Sequence, residues 1–132
     1  MIVLDACAAL DWLLQTSAGR RIEERIFSGR ESLHAPGFID LDIVRGLRRL
    51  EKAGRVSFPR IDQALEDWMD VRIARYSQDV FLPEIWQYRH NYSPREAAYL
   101  VLAKKLRATV LTRDRALTSG YVHVDGIKIE LF

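Results

Sequence analysis

The chain starts on an unbroken apolar run, residues 1–4, that stops at Asp5. A run with no polar alternation predicts a strand buried on both faces. ACAALDWLL follows at once as an apolar helix, and GRRIEERIFSG reads as a second, amphipathic helix ending near Gly29. SLHAP is a weaker strand. GFIDLDIVRGLRRLEKAG then sets Ile39, Ile43, Leu47 and Leu50 along one face, which predicts a helix opened by Pro36 and stopped at Gly54. Pro59 starts another helix, IDQALEDWMDVRIARY, and a further helical stretch covers roughly residues 82–89. In YSPREAAYL, Ser93, Pro94 and Glu96 have the pattern of a capping box with proline at the first helical position, so a helix runs from there to near Arg107. ATVLT is a strand, DRAL a turn or short helix, and YVHVDGIKIELF offers two short alternating pieces around Asp125 and Gly126.

Strands and helices alternate, without repeats, linkers or low-complexity segments. That favours one α/β domain over residues 1–132, with a parallel central sheet and helices on both faces. In such sheets ligands sit beyond the carboxyl ends of the strands. Two acids fall there: Asp5 ends the first strand, and Asp114 follows ATVLT.

Composition narrows the classes. With 132 residues the chain is one ordinary domain, large enough to bury a real core without staples. The net charge of +2 permits acidic partners without demanding them. One cysteine, Cys7, rules out an internal disulfide and fits a reducing compartment. Asp5 interrupts any secretory segment, and no run of about 18 apolar residues exists to span a membrane. The expectation is a cytoplasmic domain with no membrane partner.

Simple sites can be set aside. His34, His90 and His123 show no paired spacing for zinc, and the glycines are too scattered for a phosphate loop. Cys7 lies in ACAAL and reads as a small buried hydrophobe. The acids are more informative, although each has a bland reading. Asp5 and Asp114 suit helix caps, and Glu96 completes the capping box. Asp42 sits inside a helix among apolar neighbours, where aspartate is a poor choice; Asp40, two residues earlier, reads as solvated. Brought to one rim, four carboxylates would repel one another and raise their own pKa values, and a hard divalent cation would relieve this. Oxygen ligands suit Mg²⁺ or Mn²⁺, the usual apparatus of phosphodiester hydrolysis.

The segments MIVLDACA, HAPGFIDLDIVRGLRRL, YSPREAAYLVLAKKL and ATVLTRDRAL, in that order, resemble the PIN-domain nucleases, and most closely the VapC toxins of type II toxin–antitoxin modules. The resemblance runs over essentially the whole chain. It implies a three-layer α/β/α domain with a central, mostly parallel sheet. It also implies a Mg²⁺-dependent endoribonuclease (Mn²⁺ as substitute), a homodimer, an RNA substrate and a cognate VapB-like antitoxin. The family's four acids fall on Asp5, Asp42, Glu96 and Asp114, and Thr112 falls on a hydroxyl position beside them. Two acids depart from the family pattern, which has Glu at position 42 and Asp at 96. A methylene moves a carboxylate by about 1.5 Å, and Mg²⁺ demands near-ideal octahedral geometry. Asp5 and Asp114 are therefore the expected metal ligands, with Asp42 and Glu96 acting through water or as general bases. Cys7 departs too, from a position often Ser or Thr.

A nuclease must hold a polyanion. Arg95, Arg113 and Arg115 flank the acids, and Arg45, Arg48, Arg49 and Lys52 form a basic stripe at helical spacing. These are expected either to contact phosphates or to form a solvated face. Trp12, Trp68 and Trp86 read as core or interface residues rather than stacking platforms. Two other classes stay in view. One is a PIN-like RNA- or protein-binding module with impaired catalysis. The other is a phospho-accepting receiver domain, disfavoured by the single acid at the end of the first strand and by Thr-Arg-Asp in place of a late lysine.

Overall fold

The computed structural model describes residues 1–119 and 126–132. Five strands are present among them: β1 (Ile2–Leu4), β2 (Leu33–Pro36), β3 (Ile73–Tyr76), β4 (Thr109–Thr112) and β5 (Lys128–Leu131). The helices are α1 (Ala6–Leu13), α2 (Ser17–Ser28), α3 (Ile39–Lys52), α4 (Phe58–Asp70), α5 (Leu82–Gln87), α6 (Pro94–Leu106) and α7 (Ala116–Ser119), with a 3₁₀ turn at Asp79–Phe81 before α5. The sheet order is β3-β2-β1-β4-β5, and every neighbouring pair is parallel. This is the three-layer α/β/α architecture that the alternation of elements predicts.

The sheet order places the site. From β1 the chain moves outward through β2 and β3 on one side, then returns to β4 and β5 on the other. The connections therefore diverge at the carboxyl ends of β1 and β4, which opens a crevice there. β1 is the central strand and is buried at every residue, which is why its sequence shows no alternation. α6 is similarly enclosed, buried without interruption from Ala97 to Ala103. It ends at Arg107, in the left-handed region at φ 52°.

Three expectations are corrected. Pro36 does not open a helix; it is the last residue of β2, paired with Tyr76, and α3 begins after Phe38. The tract after Trp68 is not one helix: α4 ends at Asp70, and Ile73–Tyr76 forms the edge strand β3. Only Ile73 of that strand is buried, so its alternation is too faint to separate from a helical spacing. Asp40 is not merely solvated. Its carboxylate accepts hydrogen bonds from Arg75 Nε at 2.7 Å and Trp68 Nε1 at 2.8 Å, tying α3 to α4 and β3. The Arg75 guanidinium holds the Asp40 carboxyl below its usual range. In the tail, β5 pairs parallel to β4, so the last strand is not half of a hairpin. The preceding alternating piece lies outside the described residues. Trp68 is core, as expected, whereas Trp86 is exposed.

One close approach fixes how α1 meets α2. A Cβ built on Gly19 would lie 1.9 Å from the backbone oxygen of Asp11. Backbone cannot swing aside as a side chain can, so Gly19→Ala must push the two helices apart. The expected loss is about 3 kcal/mol, at the upper end for overpacking, which thermal unfolding would read as a fall in Tm of roughly 10 °C. A fall below 2 °C would contradict this packing.

Candidate functional site

The site is built from the ends of β1 and β4. Asp5 follows β1 in extended conformation and caps α1, its Oδ1 accepting from the Ala8 N–H at 2.7 Å. Its Oδ2 accepts from the hydroxyl of Thr112, the last residue of β4. The same hydroxyl accepts from the Asp114 N–H at 2.8 Å. One buried side chain thus orients both strand-end acids. Asp114 closes its own turn, with Oδ1 accepting from the Ala116 N–H at 2.9 Å. The cap reading of Asp5 is therefore present, whereas Asp114 closes a turn just before α7, and these bonds aim the two carboxylates.

A cleft of about 310 Å³ lies over these groups, and all four candidate acids line it: Asp5, Asp42, Glu96 and Asp114. They do not converge on one point. Among the described residues no three His, Cys, Asp or Glu side chains stand close enough to hold a metal ion together. Asp42 is bonded instead to Arg95, with Nη1 to Oδ1 at 2.5 Å. Glu96 is folded back on its cap: its Oε2 accepts from the Ser93 N–H at 2.9 Å while Ser93 Oγ accepts from the Glu96 N–H at 3.2 Å. Asp5 and Asp114 are linked through Thr112, and the charge of Asp114 is felt at Asp5.

Asp5 is 4% exposed. Burial pushes its carboxyl up from 3.8 to about 6; bonds from Thr112 and the Ala8 N–H pull it down, and the charge of Asp114 raises it again. Tyr99 forms part of the cleft wall, and its buried hydroxyl has no hydrogen-bond partner among the described residues. Burial first, then the charges of Asp5 and Asp42, push its pKa above the ordinary tyrosine range. The Tyr99 hydroxyl oxygen has room to accept a hydrogen bond, and burial penalises the charge of Asp5. A hydrated hard cation, whose waters donate, meets both needs. Mg²⁺ keeps several waters and uses only one or two carboxylates, so the pair Asp5 and Asp114 fits such an ion, whereas a cage made wholly of protein ligands does not fit.

The basic candidates divide. Arg95 lines the cleft, and so do Arg45 and Arg49 from the α3 stripe; Arg48 and Lys52 do not. Arg113 is taken up elsewhere, its Nε donating to Asp11 at 2.7 Å and its Nη1 to the Phe132 carbonyl. Arg115 is exposed, next to Asp114 in the chain. Cys7 is not the buried hydrophobe expected; it is exposed and lines the cleft. The apolar flank of α1 is carried by Ala8 and Ala9, and Cys7 falls on the other side of the turn. Desolvation, then the charge of Asp5, pushes its thiol up to about 11, so it is a poor nucleophile at neutral pH. His34 is engaged between Ser32 Oγ at 2.7 Å and the Tyr76 hydroxyl at 2.8 Å, remote from the acids. His123 lies outside the described residues. Tyr99 was not singled out from sequence: an aromatic in the middle of an apolar helix carries no signal of an orphaned hydroxyl.

The raised pKa of Asp5 has a sign that can be checked. Its folded value exceeds its unfolded one, so the folded state binds the proton more tightly and stability attached to this group is lost as pH rises from about 4 to about 6. Asp5→Asn removes that loss. In chelator, the variant's stability relative to wild type is expected to climb by on the order of 2 kcal/mol across this window and to level off above it. Denaturant unfolding at several pH values measures the difference; a flat difference would contradict the burial of an ionisable Asp5.

No protein-family model matches the chain. The ribonuclease VapC9 of Mycobacterium tuberculosis is 35% identical over 118 residues, 89% of each chain. Ribonuclease VapC3 of the same organism is 30% identical over 126 residues, 96% of this chain and 91% of its own. Ribonuclease VapC12 is 28% identical over 131 residues, 99% and 98% of the two chains. In three dimensions the structure of FitAcB from Neisseria gonorrhoeae superposes with a TM-score of 0.66 over 98% of this chain and 96% of that one, at 16% identity, a likeness of fold. Identity at this level over nearly the full length identifies the chain as a member of the VapC ribonuclease family, the PIN-domain toxins of type II toxin–antitoxin modules.

Proposed function

We propose that this chain is a Mg²⁺-dependent endoribonuclease toxin that hydrolyses RNA phosphodiester bonds in the acidic cleft and is silenced by a cognate VapB-like antitoxin. The observation that carries the reading is the buried Asp5 carboxylate set beside Asp114 by one threonine hydroxyl, under a rim of arginines. Mg²⁺ or Mn²⁺, when bound, supplies charge neutralisation at the scissile phosphate and a more acidic water. Asp5 and Asp114 are the residues that would hold it. Asp42 and Glu96 also line the cleft, and in this reading each accepts a proton from the attacking water once released from its present partner. Arg45, Arg49 and Arg95 offer the phosphates charge without reading bases. Thr112 holds the Asp5 carboxylate and the backbone of Asp114, and so acts by positioning the two acids.

A second reading keeps the fold and the binding but drops hydrolysis. The capped Glu96 and the Asp42–Arg95 bond favour it, since both acids are occupied. Metal and cleavage assays separate the two. Wild type is expected to cleave RNA with Mg²⁺ or Mn²⁺ and to stop in chelator, and Asp5→Asn should lose at least a hundredfold in rate with unchanged circular dichroism. Normal cleavage by the variant would refute the site. Calorimetry showing no metal uptake, together with no cleavage by wild type, would favour the binding module.

The homodimer belongs to this proposal as well. Val80, Leu82 and Trp86 around α5 are 70%, 55% and 66% exposed, an apolar strip suited to a second copy. Trp86→Glu is expected to shift the sedimenting species from dimer to monomer; a dimer that survives would place the interface elsewhere. Among the described residues no helix is long and apolar enough to cross a membrane. We place the protein in the cytoplasm, with its RNA.

A further inference from the structure

The bond between Arg95 and Asp42 is unusual on grounds of charge. Arg95 is the second residue of α6, after the cap Ser93 and Pro94. A cation in the first turn opposes the positive end of the helix dipole. Its placement there needs local compensation, and Asp42, from the first turn of α3, provides it at 2.5 Å. The two partners are unequally shielded: the Asp42 side chain is 15% exposed and that of Arg95 is 52% exposed. The acid faces the cleft wall while the guanidinium stands in its mouth. In this same position Arg95 also meets an aromatic ring. Its Cζ lies 4.9 Å from the centre of the Phe38 ring, and that ring is braced edge-on against Tyr99 at 5.6 Å. Cation–ring attraction holds a guanidinium at such a spot without fixing its hydrogen bonds.

We propose that the Arg95–Asp42 bond couples cation binding to RNA binding in this cleft. The inference rests on the divalent-cation reading above. Without ligands, Arg95 is the cleft's own cation and neutralises Asp42. A divalent ion draws on the charge of Asp42, directly or through a water it holds, and releases the guanidinium. An RNA phosphate draws on Arg95 and releases the carboxylate. Both ligands break the same bond, so each removes the penalty the other would meet, and the gain is necessarily reciprocal. The result is a cleft that holds a cation weakly until a phosphate strand arrives. Arg95 acts on the ion through Asp42 and on the strand through its own guanidinium.

The test is Mn²⁺ titration by calorimetry on the full chain, with and without a 2′-O-methylated RNA oligonucleotide that resists cleavage. For wild type the oligonucleotide should raise Mn²⁺ affinity roughly five- to thirtyfold, within the usual span of coupling between sites. Arg95→Ala should bind Mn²⁺ alone at least about fivefold more tightly than wild type, and the oligonucleotide should then add less. Two variants separate this from a general change of charge. Arg49→Ala removes the same charge from the cleft wall but no bond to Asp42, and should change Mn²⁺ affinity by less than about twofold. In an Asp42→Asn background, Arg95→Ala should no longer tighten Mn²⁺ binding. Equal or weaker Mn²⁺ binding by Arg95→Ala, an equal gain from Arg49→Ala, or an undiminished oligonucleotide effect would overturn the coupling while leaving the metal site standing. Absence of Mn²⁺ binding to wild type would overturn both.

Discussion

A single hydroxyl holds the site together. Thr112 is fully buried at the end of β4, donates to Asp5 at the end of β1, and accepts from the backbone of Asp114. A carboxylate as enclosed as Asp5 is tolerable only because its lone pairs are met by hydrogen bonds, here from this hydroxyl and from the first turn of α1. The donor is in reach because β1 and β4 are neighbours in register, Leu4 opposite Leu111, although more than 100 residues separate them in sequence. Sheet order, cap and site are therefore one constraint. Any topology that put another strand beside β1 would leave Asp5 buried without Thr112.

Around that pair the charges are layered. The cleft is lined by four acids and by Tyr99, whose hydroxyl has no hydrogen-bond partner among the described residues, together with arginines from α3 and α6. Not every nearby arginine serves the cleft. Arg113 is spent on Asp11 and the Phe132 carbonyl, which anchors the segment after β4 to the end of α1. Arg75 is likewise committed to Asp40, bracing the edge strand. The near-neutral total charge thus conceals cations paired into the scaffold and cations that line the cleft, of which Arg95 is paired with the cleft's own Asp42. The second population matters for a polyanion, since phosphate affinity follows local rather than total charge.

How legible the molecule was depends on whether a signal is local. β1, α1, α6 and β4 read directly from the chain because each is a saturated pattern: an all-apolar run, or a cap, proline and glutamate in fixed spacing. The strand-end positions of Asp5 and Asp114 followed from those boundaries. β3 did not read, because an edge strand buries one side chain in four and its Arg75 answers to a partner 35 residues away. Cys7 was misjudged because composition reports the company a residue keeps, not the face of the helix it stands on. Asp40 and Asp42 were separated by helical geometry, yet which of them met a scaffold cation and which met the cleft depended on β3 and α6. Those are long-range facts that no window of sequence holds.

Glu96 brings the local and the long-range readings into contact. The capping box is formed, with both reciprocal bonds, and it satisfies two backbone N–H groups at the start of α6. A cap of this kind contributes about 1 kcal/mol, and half of it, the Ser93 Oγ bond to the Glu96 N–H, does not involve the glutamate side chain. Ser93 is exposed, so its N–H regains a water when the carboxylate leaves. Releasing the Glu96 carboxylate therefore costs less than the whole cap is worth. The box is thus local in its bonds, while its place on the cleft lining is set by the long-range packing of α6 against the sheet.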